Sequence, residues 1–589
     1  MKSLFYIFIF SILFSSCAPD RNREKISEKD QTAKSDWFSS QRMFPYSTPD
    51  YAAYKNALQW KNTQHSTMRT STQQPWHYAG PENLGGRVVD VEMLPNDFNT
   101  MYACAASGGI FKTTDAGNSW TPIFDNNPSL SIGDLAIAPS DFSTLYCGTG
   151  EANAGGGSLC YDGAGIFKST DAGTTWNYCG LDVTRNTGRI AIDPKNTNRV
   201  FAATMGDLFG NNPDRGLYRT TDGGLNWQNV LFSDDSTGAI DVVIHPQNTD
   251  TVFACLWTRV RRPDRRQYGG QASGIYRSYD GGNTWTKLTN GLPSYSLGRI
   301  GIDISQSSPN ILYTIMSDSS GGNSIVLKTT NFGDSWTNVT NNFFPNSYSY
   351  WYGRLKIDPT NSDVVYVIDF DLWKTTDGGQ NWFTTPSVHV DQHEVFIHPM
   401  NPDFLLVGND GGFFVSTDGG NSYVRNEKLP IMQFYTCEFN EQNPDVIMGG
   451  AQDNGVNKTP TGAVNDWGPI WYGDGFVVLV DPNDSNVIYA ESQYAGISTG
   501  LNGVDPTDRI NWNAPYIFNP LNSHTLYLVL KHCTRPLTRD KTGSRSAATS
   551  PMEVLRLHTR LYLLRSQRLQ SLQRIQISFT LVPMTEISR

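Results

Sequence analysis

Charge is scarce in this 589-residue chain: Asp, Glu, Lys and Arg together make up 17%, against roughly 25% in ordinary soluble domains. That excludes a coiled coil and a charged disordered polymer. Basic residues are in deficit, 46 Lys and Arg against 56 Asp and Glu, for a net charge of −10. No general basic field is present to hold a nucleic acid. Beyond the extreme N-terminus no apolar run is long enough to span a bilayer. The eight cysteines show no metal-type spacing, and no sequence motif calls for a cofactor. Glycine (53) and aromatic residues (15 Trp, 27 Tyr, 29 Phe) are abundant instead, the composition of many short strands joined by tight turns. The length is about four times a ~150-residue domain, so several domains or one large repetitive one is expected.

The first seventeen residues read as an export signal. Lys2 is followed by an apolar stretch from Leu4 to Leu13 and then by Ser15-Ser16-Cys17, too short to span and ending in small residues. The Cys after two serines resembles a bacterial lipobox, with Phe14 where that motif prefers Leu. The resemblance implies cleavage before Cys17, acylation of its thiol, and an outer-membrane or cell-surface lipoprotein. Residues 18–75 are polar and without periodicity, a tether. Of the remaining thiols, Cys104, Cys147 and Cys255 lie in apolar strand runs and read as buried. Cys160 with Cys179 is the one candidate disulfide.

An internal repeat determines the fold class. The pattern Ser/Thr-x-Asp-x-Gly-x-x-Trp recurs at Thr113-Asp115-Gly117-Trp120, Ser169-Asp171-Gly173-Trp176, Thr220-Asp222-Gly224-Trp227, Ser278-Asp280-Gly282-Trp285 and Thr375-Asp377-Gly379-Trp382. Degenerate copies lie at Thr329-Asn331-Gly333-Trp336 and Ser416-Asp418-Gly420-Tyr423. A second anchor, an apolar strand followed by roughly Pro-x-Asn/Asp, begins near Pro95, Pro139, Pro194, Pro246, Ile304, Pro359, Pro399, Asn440, Pro482 and Pro520. Intervals of about 40–58 residues hold four short strands, the size of a β-propeller blade. In each box the Asp accepts backbone N–H bonds across a hairpin, the Gly takes a positive φ, and the Trp packs between sheets.

The box resembles the Asp-box (BNR) repeat of sialidases, sortilins and xyloglucanases, where it marks the turn between strands 3 and 4 away from the active site. That resemblance gives the box Asp residues no catalytic role. ENLGGRV (82–88), GTGEAN (148–153), GRIAIDP (188–194), HVDQHE (389–394), GNDGG (408–412), GGAQDNG (449–455) and GDGF (473–476) are similar to sortilin-type BNR proteins of bacteria, often labelled glycosyl hydrolase-like. The likeness covers roughly residues 77–528. It implies an all-β propeller over 76–530, ten-bladed and sortilin-like with an incomplete last blade; two stacked propellers, as in xyloglucanases, are the alternative. Residues 531–589 change character, with one Gly, no Trp, nine Arg and no Asp box. They read as an aberrant tail, the product of a frameshift, with an amphipathic helix over 552–575.

Propeller topology gathers the candidate chemistry on one face. The 2–3 loops and the 4-to-1 connectors share the channel mouth opposite the boxes, and the longest insertions follow strand 2 at Thr149–Ala164, Met205–Arg215 and Trp257–Gly274. Glu151, Asp410 and Asp453 follow a strand 2; His389, Asp391, His393 and Asp474 precede a strand 1. These carboxylates are the candidate catalytic pool, since glycoside hydrolysis needs two carboxyl groups. Arg87, Arg189, Arg299 and Arg354 each follow a Gly at the start of an innermost strand. They would form part of a ring for carboxylate or sulfate groups, or pair with carboxylates of neighbouring blades. His389-x-Asp391-x-His393 is a candidate metal triplet, because alternation along an extended segment puts all three on one side. Arg259, Arg261, Arg262, Arg265 and Arg266 crowd one loop, read as a solvated or acid-paired cluster. Tyr350-Trp351-Tyr352 and Trp471-Tyr472 are candidate stacking groups for sugar rings.

Two readings follow. One is a surface-anchored propeller that binds a glycan or an extracellular protein on its loop-rich face. The other is a glycoside hydrolase acting on a polysaccharide. The xyloglucanase motif places its catalytic Asp at the position occupied here by Ala106, and a sialidase-like arginine triad cannot be matched; both weigh against those known chemistries. The signal reading predicts that Cys17→Ser moves the protein from the detergent-soluble membrane fraction to the aqueous fraction on phase separation. A wild-type chain already in the aqueous fraction would contradict acylation.

Overall fold

The computed structural model describes residues 77–152, 161–262, 265–340, 344–345, 351–386, 388–498, 510–519, 522–529 and 534–538, with a few positions between 50 and 60. Cys17, most of the expected tether, Cys160, Tyr350 and the expected helix over 552–575 lie outside them, as do the side chains of Arg262, Arg265 and Arg266. No helix among the described residues is long and apolar enough to cross a membrane. The chain divides into two compact units, Met1–Met432 and Gln433–Arg589.

The first unit is built from seven four- or five-stranded antiparallel sheets, with a separate two-stranded hairpin, Val260–Arg262 with Arg265–Gln267, inserted between the second and third strands of the fourth. Their innermost strands are Val88–Met93, Ile132–Ile137, Thr187–Asp193, Thr237–Ile244, Leu297–Ile304, Arg354–Ile357 and Gln392–Ile397, in blades 1 to 7. Each innermost strand packs against the next, and that of blade 7 against that of blade 1. The seven sheets therefore close on themselves. The second unit contains a four-stranded sheet (Phe434–Asn440, Asn443–Ala451, Gly455–Thr459, Gly468–Trp471) and two three-stranded ones beginning at Val478 and Tyr516. Ten anchors thus correspond to ten sheets, but the expected single ring of ten is replaced by seven sheets in one unit and three in the other. The repeat counts sheets; closure depends on which side chains meet where the first and last of them touch. The last strand, Thr534–Thr538, pairs with Asn522–Val529 and lies inside the segment expected to stand apart as a tail.

Local chemistry explains the blades. In the first box Asp115 Oδ1 accepts the N–H of Ser119 at 2.9 Å and Oδ2 its hydroxyl at 2.6 Å, while Gly117 N–H donates to Thr113 Oγ1 at 2.9 Å. Gly117 sits at φ +84°, where a side chain is strained. Hydrogen bonds from Ser119 and Thr113 pull the Asp115 carboxyl down to about 2. At the degenerate box Asn331 Oδ1 accepts Ser335 N–H at 3.0 Å, so the turn survives without the charge. The thiols of Cys104, Cys147 and Cys255 are buried, as their strand context predicts, and burial pushes all three up.

Three of the boxes also latch their blade to a neighbouring one through the tryptophan N–H. Trp227 Nε1 of blade 3 donates to Cys179 O of blade 2 at 2.6 Å, and Trp382 Nε1 of blade 6 to Val339 O of blade 5 at 3.1 Å. Trp120 of blade 1 makes the equivalent contact with blade 7, donating to Asn426 Oδ1 at 3.1 Å, while Asn426 Nδ2 donates to Gly117 O at 2.9 Å. Phe98 stacks on His398 at 4.2 Å across the same seam. All four strands of blade 7 come from one continuous stretch, so closure rests on side chains rather than on an exchanged strand. Asn426→Ala removes both hydrogen bonds and should destabilise the first unit by about 1–3 kcal/mol, read as a lower denaturant midpoint. An unchanged midpoint would show that the seam does not depend on Asn426.

Candidate functional site

The mouth residues of the first unit are brought together from five blades. Arg87 immediately precedes the innermost strand of blade 1. Gly150, at φ +83°, turns the chain after the second strand of blade 2; a Cβ there would lie 1.8 Å from Arg185 O. That close approach sets Glu151 in a bridge with Thr187 of blade 3. Trp351 and Tyr352 lead into blade 6, His393 is on the innermost strand of blade 7, and Asp410 follows that blade's second strand.

Asp410 is the hub. Arg87 donates to it twice, Nε to Oδ1 at 2.7 Å and Nη2 to Oδ2 at 2.8 Å, the bidentate geometry in which Arg binds carboxylate best. His393 Nε2 lies 2.6 Å from Asp410 Oδ1. Burial would raise the Asp410 carboxyl, but Arg87 and His393 outweigh it and hold it well below the usual range. Burial in turn pushes the His393 imidazole down, against the pull of Asp410. Arg87 also approaches Glu151 at 3.7 Å and lies 4.7 Å above the Trp351 ring. Glu151 behaves oppositely to Asp410: burial carries its carboxyl from 4.5 up to about 7, with Arg87 only partly offsetting. The Tyr352 hydroxyl donates to Asp391, and its ring leans on His393 at 5.8 Å.

The expected metal triplet does not converge. Asp391 sits at φ +67° just before the strand, and the register shifts between Gln392 and Glu394, so simple alternation fails there. His393 faces Asp410, Asp391 receives Tyr352, and His389 Nδ1 lies 2.8 Å from Val390 O. Trp351 and Tyr352 are buried, each 6% exposed, so neither offers a stacking face. In the second unit Asp474 accepts Asp453 N–H at 2.8 Å and Gln493 Nε2–H at 3.0 Å. Trp471 is tied by Nε1 to Gly496 O at 2.9 Å, whereas Tyr472 is 77% exposed.

Arg87, Arg189 and Arg354 meet carboxylates. Besides Arg87 on Asp410, Arg189 reaches Asp134 (3.1 Å), Asp241 (3.4 Å) and Glu394 (2.9 Å), on blades 2, 4 and 7. Arg354 Nη1 lies 2.7 Å from Glu394 Oε2, and its Nη2 donates to Gly188 O at 2.8 Å. Arg299 donates to Trp351 O at 2.7 Å. The channel is thus filled by its own ion pairs. The Arg-rich loop is a hairpin, Val260–Arg262 with Arg265–Gln267, and two of its arginines turn inward instead of into solvent. Arg259 and Arg261 are buried, Arg259 4.5 Å over the Tyr268 ring and Arg261 5.5 Å over Phe209.

Sequence reasoning missed the acids of the innermost strands. Asp90, Asp134, Asp241 and Asp303 each accept the backbone N–H of the following or next-but-one strand position in a neighbouring blade: Leu135, Ile190, Ile302 and Ile357 at 2.6, 2.7, 3.1 and 2.8 Å. Their signal is an Asp inside an otherwise apolar strand. Beside this mouth a cleft of about 260 Å³ is lined by Ser107, Pro128, Ser129, Leu130, Ser131 and Tyr161. Its Ser131 hydroxyl accepts the Glu151 N–H at 3.3 Å.

Residues 164–295 match the family model of Sortilin-Vps10, described as sortilin, neurotensin receptor 3. The xyloglucanase Xgh74A of Acetivibrio thermocellus is 27% identical over 354 residues, 53% of this chain and 40% of that protein. A Paenibacillus xyloglucanase is 26% identical over 329 residues, 51% of this chain and 31% of that one. The chain therefore spans less than half the length of these curated relatives. Among solved structures, the Niastella koreensis GH74 enzyme superposes with TM-score 0.50 at 18% identity, over 78% of this chain and 81% of that one. An ancestral GH74 enzyme gives 0.54 at 17%, over 79% and 69%. The chain is thus similar to BNR-type β-propellers of the GH74 xyloglucanase kind, and its residues 164–295 resemble the Sortilin-Vps10 model.

Glu151 generates a pH prediction. Its folded pKa of about 7 exceeds the unfolded 4.5, so the folded state holds the proton longer. The associated stability is present below pH 4.5 and is lost as pH rises through 7. Between those values the wild type should lose up to about 3 kcal/mol relative to Glu151→Gln, measured by paired denaturant titrations. Parallel curves for the two proteins would show that Glu151 is not raised.

Proposed function

We propose that this protein is an exported, lipid-anchored propeller that binds a glycan at the mouth of its first unit without cleaving it. The observation that carries this reading is the commitment of the mouth carboxylates. Asp410 is held by Arg87 and His393 and Asp391 by Tyr352, so neither stands open as a nucleophile or base. At the position of the xyloglucanase catalytic Asp, Ala106 brings only a backbone N–H, which donates to Arg87 O at 3.2 Å. The neighbouring cleft has the hydroxyls of three serines and Tyr161 among its lining residues, groups that both donate and accept and so suit a polyhydroxylated ligand. Its volume accommodates a sugar-sized group rather than a long chain. Relationship to xyloglucanases makes xyloglucan the first polysaccharide to test.

One observation favours the hydrolase reading. A buried carboxyl raised to about 7 is what a general acid at neutral pH requires, and Glu151 is such a group. A panel of plant, algal and host polysaccharides separates the two. We expect retardation in affinity gels with no reducing-end release, and weaker retardation for Ser129→Ala. Reducing-end release that disappears in Glu151→Gln, with circular dichroism unchanged, would instead establish a hydrolase and make Glu151 its acid.

A further inference from the structure

The second unit leaves apolar side chains bare on both of its end faces. Its three sheets begin with the innermost strands Phe434–Asn440, Val478–Asp481 and Tyr516–Asn519. Ladder register aligns these strands with one another. Asn440 pairs with Asn443, Asp481 with Asp484 and Asn519 with Asn522. Counting back from those pairs, Phe439, Val480 and Phe518 share one position. Glu438, Leu479 and Ile517 share the next, and Cys437, Val478 and Tyr516 the one after.

On the middle strand each position has a definite neighbour. Val478 and Val480 pack back on Val446, Met448 and Val456 of the first sheet. Leu479 packs forward on Tyr516, Leu526 and Leu528 of the third. The same alternation turns Tyr516 and Phe518 back and Ile517 forward. At the two ends of the unit the equivalent side chains are uncovered. Cys437 and Phe439, at the positions of Val478 and Val480, are exposed, Phe439 by 51%. Ile517, at the position of Leu479, is 61% exposed. The closed first unit shows what covers such positions. On the corresponding rungs of blade 1, Val91 and Met93 are buried in one cluster with Leu406 and Phe413 of blade 7.

We propose that two copies of this chain pair head to tail through these end faces, so that two arcs of three sheets close one six-bladed ring. The seam sets Ile517 of one copy against Cys437 and Phe439 of the other. It repeats the contact by which Leu479 already meets the third sheet and Val480 the first. Three sheets are too few to close on themselves, whereas six lies within the range of about four to eight blades that propellers use. The forward and backward faces differ, so their contact is heterologous: it either propagates or closes, and closure after two copies leaves neither face open. A second copy brings both kinds of face, and one type of contact therefore satisfies both ends. Covering Phe439 and Ile517 removes apolar surface from water, which favours association.

The test is sedimentation equilibrium of the full chain, with Cys17→Ser in every sample so that acylation cannot drive association. A reversible species of twice the 65.5 kDa chain mass is expected. Phe439→Asp and Ile517→Asp should each raise its dissociation constant about tenfold or more. An equimolar mixture of the two variants should recover dimer, because one of its two seams then joins an unaltered Phe439 to an unaltered Ile517. Maleimide labelling of Cys437, located by peptide mapping, should slow as the concentration of the otherwise unaltered chain rises through the transition; this readout does not depend on how the variants fold. A monomer at every concentration overturns the proposal, as do oligomers that grow beyond two copies. Loss of dimer with Phe439→Asp but not with Ile517→Asp would mean that like faces meet, and also overturns it. So does a mixture that stays monomeric, or labelling that ignores concentration.

Discussion

The first unit depends on how it houses acids inside its innermost strands. A carboxylate taken out of water is costly unless it is paired or hydrogen-bonded, and Asp90, Glu92, Asp134, Asp241, Asp303 and Glu394 all stand on the strands that line the channel. Two devices hold them. Four accept backbone N–H groups across blades. Cations from other blades then meet the charge: Arg189 bridges three carboxylates, and Arg354 and Lys356 share Glu394, Lys356 at 3.3 Å. Burial raises the Glu394 carboxyl but these three cations bring it far below normal. Asp90, whose cationic neighbours are outweighed by burial and by Asp134 and Glu394, rises to about 8. Excess negative charge is thus relieved by holding a proton.

This arrangement decides what the channel can do. An open ring of arginines would attract an anion, but the same arginines with acids beside them consume their charge internally and fill the space. The rim differs: beside it the connector Pro128–Ser131, with Ser107 and Tyr161, lines a cleft that carries hydroxyl groups. On the opposite face the boxes are also self-contained: Asp115 spends its oxygens on its own turn, and Trp120, Trp227 and Trp382 each join two blades. Rigid box turns on one face and variable loops on the other are the division of labour expected when a scaffold carries a grafted site.

Within the rim, environment separates two carboxylates of similar exposure. Asp410 has two donor groups in contact and stays ionised; Glu151 has one guanidinium at 3.7 Å and burial dominates. Arg259 and Arg261 show the same rule for cations, settling on aromatic faces and backbone carbonyls instead of solvent. The delocalised guanidinium tolerates that exchange better than a lysine would.

Much of this molecule was legible in the linear text because its turn chemistry is local. Ser/Thr, Asp and Gly within a few residues are sufficient to make a box, so strand order, the box turns and the buried Cys104, Cys147 and Cys255 could all be read directly. Topology likewise brought Arg87, Glu151, His393 and Asp410 to one mouth. Pairing was not legible: Asp410 lies 323 positions from Arg87, and no spacing announces it. Nor was the failure of His389, Asp391 and His393 to converge, which follows from one bulge and one positive φ. Closure after seven sheets was decided by Trp120 meeting Asn426 across the seam, a contact between distant segments. Sequence by itself determined the elements and the faces on which residues emerge, because those depend on neighbours in the chain. Tertiary structure alone decided which charges are spent on each other and which rings remain exposed, because electrostatics and burial depend on neighbours in space.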